Sequence, residues 1–170
     1  MPKSKPLFFD TVVLSNFAFV QGGIAFLKER YRGRGKITLQ VLEEVAKAIY
    51  AGLSDLEQIE SDLLQKNGFE KTSLTTKEQT PYLHLLRNLG DGEASCIAAA
   101  FERNAIVVTD DRMARNFCKE RNIAVTGTLG ILKASYIDGS LQIDDADRML
   151  AQMIACGFYS PVQKISDTLP

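Results

Sequence analysis

The first apolar run of the chain, Leu7-Phe8-Phe9, stops at Asp10 and resumes as Thr11-Val12-Val13-Leu14. A short β-rich run met at once by a carboxylate reads as a buried strand with an acid at or near its carboxyl end. Residues 15–28 are mixed and broken by Gly22-Gly23, which fits one or two short helices. The stretch 28–36 is basic and glycine-rich and reads as a loop. Ile37-Thr38-Leu39 is a second candidate strand. After it Val41, Leu42, Val45, Ala48 and Ile49 recur at helical spacing, placing Glu43 and Glu44 in the first turns of a helix.

Residues 53–64 are amphipathic, with Asn67-Gly68 as a stop signal, and 69–74 alternate weakly, as an edge strand would. Thr80-Pro81 reads as a helix start running to about Leu89 and closed by Gly90. A small-residue helix follows over 92–101, of the kind that packs closely on a sheet. Residues 105–109 form the clearest strand, uncharged and β-branched, ending in Asp110-Asp111. The pattern continues with a helix over about 112–121, a short strand at 123–125, and a turn at Thr126-Gly127-Thr128. That turn leads into a helix from Leu129, stopped by Asp138-Gly139, and the last helix covers roughly 143–155. Short strands alternating with helices imply an α/β domain with a mostly parallel sheet, each helix serving as a crossover. The expected organisation is one domain over 1–170, with a core at about 7–137 and a helical C-terminal extension at about 141–170.

Composition narrows the chemistry. The 170 residues are 45% hydrophobic and 24% charged, enough for a single well-packed core, and the formal net charge is −1. One histidine, His84, builds no multi-histidine metal centre, and three scattered cysteines, Cys96, Cys118 and Cys156, build neither a zinc ribbon nor a secreted disulfide framework. No apolar run reaches the roughly 20 residues of a membrane span, and 1–6 is polar with no signal-peptide pattern. These features predict a soluble, cytoplasmic protein whose chemistry rests on carboxylates.

The acids fall in a pattern. In open α/β sheets, ligands bind at the carboxyl ends of strands. Asp10 and either Asp110 or Asp111 fall there, and Glu44 and Glu93 lie near the starts of helices that could border the same edge. Each has an ordinary structural explanation too: a helix cap, a solvated helix face, or a carboxylate at the positive end of a helix. Several carboxylates brought to one point cannot all stay ionised without a counter-charge, and Mg²⁺ or Mn²⁺ is the natural one for oxygen ligands. Such a cluster suits metal-assisted phosphodiester hydrolysis. A phosphatase of the haloacid-dehalogenase type also begins with a strand ending in Asp, but expects a second Asp two residues later, where this chain has Val12.

Gly92-Glu93-Ala94, followed by Ile-Val-Val-Thr-Asp110-Asp111-Arg112-Met-Ala-Arg115, resembles a PIN-domain ribonuclease. Phe9-Asp10-Thr11-Val12-Val13-Leu14 looks like that family's first strand, and Val41-Leu42-Glu43-Glu44-Val45 like its second motif, with Glu44 the better match. The segments 126–132 and 157–160 resemble a VapC-like prokaryotic branch. The resemblance implies a three-layer α/β/α fold with a short, mostly parallel sheet, an acidic Mg²⁺ or Mn²⁺ pocket, and cleavage of single-stranded RNA. It makes Asp10, Glu44 and Glu93 catalytic or metal-holding. The usual spacing after the threonine favours Asp111, with Asp110 the alternative. Glu93 departs from the commoner Asp.

Thr11 and Asn16 are candidates to hydrogen-bond the carboxylates, and Arg112 and Arg115 to hold a phosphate. In 28–36, Arg30, Arg32 and Arg34, with Lys28 and Lys36, face only Glu29 in sequence, and Tyr31 is interleaved. Such a stretch neutralises phosphates and stacks a base, or is simply a solvated loop. His84 reads as structural, and Cys96 and Cys118 as small core residues. Expected partners are RNA, an antitoxin protein if the chain is the toxin of a toxin–antitoxin pair, and a second copy docking through 53–64. The competing reading is a catalytically silent PIN-fold module that binds RNA or protein.

Overall fold

Strand β1 (Leu7–Phe9) is the middle of a five-stranded, all-parallel sheet in a computed structural model that describes residues 4–170. The polar reading of Met1 to Lys3 lies outside the described residues. β2 (Gly35–Thr38) and β4 (Ile106–Val108) flank β1, and β3 (Glu70–Thr72) and β5 (Val125–Thr126) form the edges. Leu7 pairs with Gly35 on one side and Ile106 on the other, and Phe9 with Val108. A parallel strand covered on both faces needs a continuous apolar run rather than alternation. Leu7, Phe8 and Phe9 meet that need and are all buried. Because every strand runs the same way, the segments after Phe9, Thr38 and Val108 emerge at one edge.

The crossovers are helical: α1 (Thr11–Ala18), α2 (Gly23–Arg30), α3 (Leu39–Tyr50), α4 (Thr76–Leu85), α5 (Asp91–Arg103), α6 (Arg112–Glu120), α7 (Thr128–Ile137) and α8 (Ile143–Ala155). The expected PIN-like layering of helices about a short parallel sheet is what the chain forms. α5 lies in the core, where Ala94, Cys96, Ala98, Ala99 and Ala100 bring its backbone close to its neighbours. Among the described residues no helix is long and apolar enough to cross a membrane.

Several local expectations change. Thr11 to Leu14 is helical rather than extended, because Asp10 caps α1 by accepting from Thr11 N. Leu39 likewise joins α3, whose cap is Thr38, accepting from Val41 N. In the basic stretch α2 keeps 28–30 and β2 claims 35–36, leaving only 31–34 as a turn. Residues 53–64 are not a regular helix but a 3₁₀ turn (Ser54–Leu56) and a π turn (Ile59–Leu63). Their apolar side chains Leu56, Ile59 and Leu63 are in the core, so they offer no free face to a second copy. α4 starts at Thr76, not Thr80. A capping box between Thr75 and Glu78 sets the start, and Pro81 sits inside the helix without an N–H to give. Gly90 begins α5 as its N-cap rather than closing α4.

Candidate active site

Asp10 leaves the central strand into α1 and is buried, with both carboxylate oxygens engaged. Oδ1 accepts from Thr11 N at 2.7 Å and Oδ2 from Thr109 Oγ1 at 3.1 Å. Its helix cap and its place in an acidic cluster are one arrangement, not alternatives. Glu44, on α3, accepts from Gly92 N at 2.9 Å through Oε1 and from the Thr11 hydroxyl through Oε2. Its neighbour Glu43 instead faces solvent, 3.6 Å from Lys47.

Glu93 stands in the first turn of α5, and the two glycines around it explain the crowding. A Cβ on Gly92 would meet Glu44 Oε2 at 2.5 Å and Asp10 Oδ1 at 3.1 Å; one on Gly90 would meet Glu93 Oε2 at 2.7 Å. Only residues without side chains let these acids come so close. Asp111 caps α6, accepting from Ala114 N at 2.7 Å, and its charge reaches Glu93.

Burial pushes the Asp10 carboxyl up to about 7, with the charges of Glu93 and Glu44 adding to it and the hydrogen bonds from Thr11 and Thr109 opposing it. Burial raises Glu93 as well, Asp111 and Glu44 adding to the shift against backbone N–H groups. Cys96, buried beneath these acids, has its thiol raised well above the ordinary value by burial first and their charges second, so it supplies no thiolate.

Asp110 points elsewhere. Its Oδ1 accepts from Thr128 N at 2.8 Å, and its Oδ2 accepts from Thr128 Oγ1 at 2.5 Å and Asn16 Nδ2 at 3.1 Å. Arg115 Nη1 donates to the Thr109 carbonyl at 3.0 Å, while Arg112 is exposed at the first position of α6. Thr11, Asn16 and Arg115 therefore lie at this edge with the acids, Thr11 donating to Glu44 and Asn16 to Asp110.

The basic stretch does not. Residues 31–34 precede β2, at the opposite edge of the sheet from the acids. Lys28 pairs with Asp62 at 2.9 Å, Arg30 with Asp138 at 2.9 Å, Arg32 with Glu29, and Lys36 with Glu70. Arg34 donates to the Lys5 carbonyl at 3.2 Å. Tyr31 is buried with its ring 5.4 Å from that of Phe9, so it is not free to stack a base. His84 is exposed on α4, at the rim of a concavity of about 710 Å³ between α4, α5 and α6, apart from the acids.

Two side chains at the acidic edge, Thr109 and Thr128, were not candidates from sequence. The register that sets Phe9 beside Val108 places Thr109 next to Asp10, and a threonine ending a strand before paired acids is the available signal.

Among the described residues, no three His, Cys, Asp or Glu side chains converge as a ready-made cation site. The donor chemistry nevertheless fits a hard divalent ion. The donors are carboxylates alone, and burial together with the charges of their neighbours raises two of them, Asp10 and Glu93. Because Asp10 titrates near 7 in the fold and near 3.8 ordinarily, its ionisation opposes folding as pH rises through that interval. Mn²⁺ should therefore raise the melting temperature strongly at pH 8 and little at pH 5, read by scanning calorimetry. Equal shifts at both pH values would dissociate ion binding from this carboxyl.

A family model described as PIN domain matches residues 7–170. Solved structures also match, among them VapBC2 from Rickettsia felis bound to a DNA fragment from their promoter. There the TM-score is 0.50 and the identity 15%, over 71% of this chain and 98% of that one, a likeness of fold alone. No curated protein matches. With nearly its whole length covered by that family model, the chain belongs to the PIN-domain family.

Proposed function

We propose that this protein is a divalent-metal-dependent nuclease that hydrolyses RNA phosphodiester bonds. The observation that carries the reading is the buried Asp10, under the charges of Glu93 and Glu44 and with its carboxyl pushed up to about 7. A fold gains nothing from collecting repelling carboxylates at a strand end unless a cation joins them, which also weighs against a catalytically silent binding module. Asp10, Glu93 and Asp111 would hold Mg²⁺ or Mn²⁺, and Glu44, anchored by Thr11 and Gly92 N, would fix the wall they share. The ion, when bound, polarises a phosphate oxygen and lowers the pKa of water. Around it, the chain's residues position the reacting groups. Thr109 and Thr11 hold the Asp10 and Glu44 carboxylates by donating to them, and Arg112 and Arg115 flank the acids as phosphate-facing cations. Attack in line by water requires no covalent enzyme intermediate.

The chain acts as one domain, its core about 7–137 and its C-terminal extension about 141–170, in the cytoplasm and as a homodimer. The likeness to a VapBC2 assembly supports a toxin held by an antitoxin partner.

Incubation of the purified protein with single-stranded RNA and Mn²⁺ or Mg²⁺ should give cleavage that EDTA abolishes. Cleavage that survives both EDTA and Asp10→Asn overturns the assignment. No cleavage together with no divalent-ion binding by calorimetry at millimolar concentration makes the chain a binding module instead.

A further inference from the structure

Asp110 sits in a motif where either of two adjacent acids could face the site, and the two have opposite surroundings. Three donors converge on its two oxygens: Thr128 N at 2.8 Å, Thr128 Oγ1 at 2.5 Å and Asn16 Nδ2 at 3.1 Å. Thr128 is fully buried and Asn16 nearly so, and they also bond each other at 3.1 Å. α7 has no cap from its own N-cap residue, Gly127, so Asp110 supplies that cap from a distant part of the chain. Gly127 testifies to the same fit. Its backbone is extended, with φ −151°, which any residue adopts, yet a Cβ there would stand 2.4 Å from Asp110 Oδ1. Glycine is required at 127 by the approach of this carboxylate, not by backbone conformation.

We infer that Asp110 is a positioning residue, a hydrogen-bonded strap from the β4–α6 turn to α1 and α7 that sets the spacing of Asp10 and Asp111. The residues on either side of it carry the connection. Thr109 Oγ1 donates to Asp10 Oδ2 and accepts from Asp111 N at 3.2 Å. Asn16 stands on the helix that Asp10 caps. Asp110 thus pins the turn that presents Asp111 to the helix that starts at Asp10. Three of the roughly four acceptor sites of the Asp110 carboxylate are already taken by these donors, which leaves it little capacity to ligate an ion. The inference rests on the nuclease reading for its consequence in catalysis, but not for its geometry.

A polarity swap separates strap from ligand. Asp110→Asn turns one acceptor into a donor facing Asn16 Nδ2. In the double variant Asp110→Asn, Asn16→Asp, the amide introduced at 110 donates to the carboxylate introduced at 16, while its oxygen still accepts from Thr128 N. Three quantities are measured: exchange of the Thr128 amide by NMR, Mn²⁺ affinity by calorimetry, and kcat and KM on single-stranded RNA. The single variant should speed Thr128 exchange and lower kcat by about 10–100-fold with KM little changed. The double variant should restore kcat to within about threefold, since the two positions are directly coupled.

A double variant as inactive as the single one, with Mn²⁺ affinity lost in both, makes Asp110 a ligand and overturns the strap. So does a single variant that melts earlier but turns over at the wild-type rate. If the wild-type protein neither binds Mn²⁺ nor cleaves, the nuclease reading fails. Thr128 exchange then decides the strap by itself: faster in the single variant and restored in the double upholds it, and unchanged exchange overturns it.

Discussion

Asp10→Asn is expected to lower RNA cleavage by about 10²–10³-fold while raising the melting temperature of the ion-free protein at pH 8. The two effects have one cause. In the fold the Asp10 carboxyl titrates near 7 rather than near 3.8, because it is buried and faces Glu93 and Glu44. Its native ionisation is therefore penalised, and stability is lost as pH climbs from about 4 through 7. Asparagine removes that penalty without disturbing the neighbours. Its oxygen accepts from Thr11 N, and its amide donates to Thr109 Oγ1, a hydroxyl able to accept. At pH 5 only part of that loss has accrued, so the variant should melt only slightly above wild type, the two converging below about pH 4. At pH 8 the variant should melt higher, and Mn²⁺ should no longer stabilise it. Calorimetry at the two pH values, beside a cleavage assay, checks both signs. A variant that cleaves normally, or melts lower at pH 8, contradicts the assignment of Asp10 as the acid most in need of a cation. Such an exchange of activity for stability is what a site built from mutually repelling charges should display.

How much of this could be read from the sequence depends on how local the determinants are. Asp10 was legible because an apolar run ended by a carboxylate states both the strand end and the helix cap, and in a parallel sheet that end is also the ligand-binding edge. The regular alternation of strands and helices sufficed for the sheet's direction. The cap of α4 is Thr75 rather than Thr80 because the Thr75–Glu78 capping box satisfies two backbone donors at once, a stronger start than a proline at the first helical position. The 28–36 stretch looked like free positive charge because only Glu29 is nearby in sequence. Asp62, Asp138 and Glu70, which neutralise its members, come from other elements. The choice between Asp110 and Asp111 was open for the same reason. The donors that claim Asp110 are Asn16 and Thr128, 94 and 18 residues away. What a one-dimensional pattern encodes is the placement of acids on elements; which partner each finds depends on tertiary packing.

The largest loss of stability should come from Arg103→Ala, at the far end of the helix that begins beside Glu93. The guanidinium binds Glu78 with two parallel bonds, Nε to Oε1 at 2.7 Å and Nη2 to Oε2 at 2.8 Å. It also donates to Thr72 Oγ1 at 2.7 Å and the Ser73 carbonyl at 2.8 Å, and lies 5.4 Å over the Phe8 ring. One side chain thus joins α5, α4 and the edge strand β3. The Glu78 side chain is 1% exposed, so truncating Arg103 leaves a carboxylate in the interior held by Thr75 alone. Removing one partner of a buried pair costs about 3 kcal/mol where the other partner is partly exposed, as Arg103 is. In a chain of this length that is a fall of about 6–12 °C in melting temperature. The pH dependence carries a definite sign. Burial raises the Glu78 carboxyl, but the bonds from Arg103 and Thr75 outweigh it and hold the group below its ordinary 4.5. The pair's contribution is present above that value and lost as pH falls through the lowered one, so the gap between wild type and variant should narrow in acid. Arg103→Lys should recover little, since one ammonium cannot span both oxygens and also reach Thr72 and Ser73. Replacing both partners, Arg103→Met with Glu78→Leu, should recover much of the loss, because no unpaired charge then remains inside. Full loss in that double variant would mean that the stabilisation lies in the bonds to β3 rather than in the ion pair.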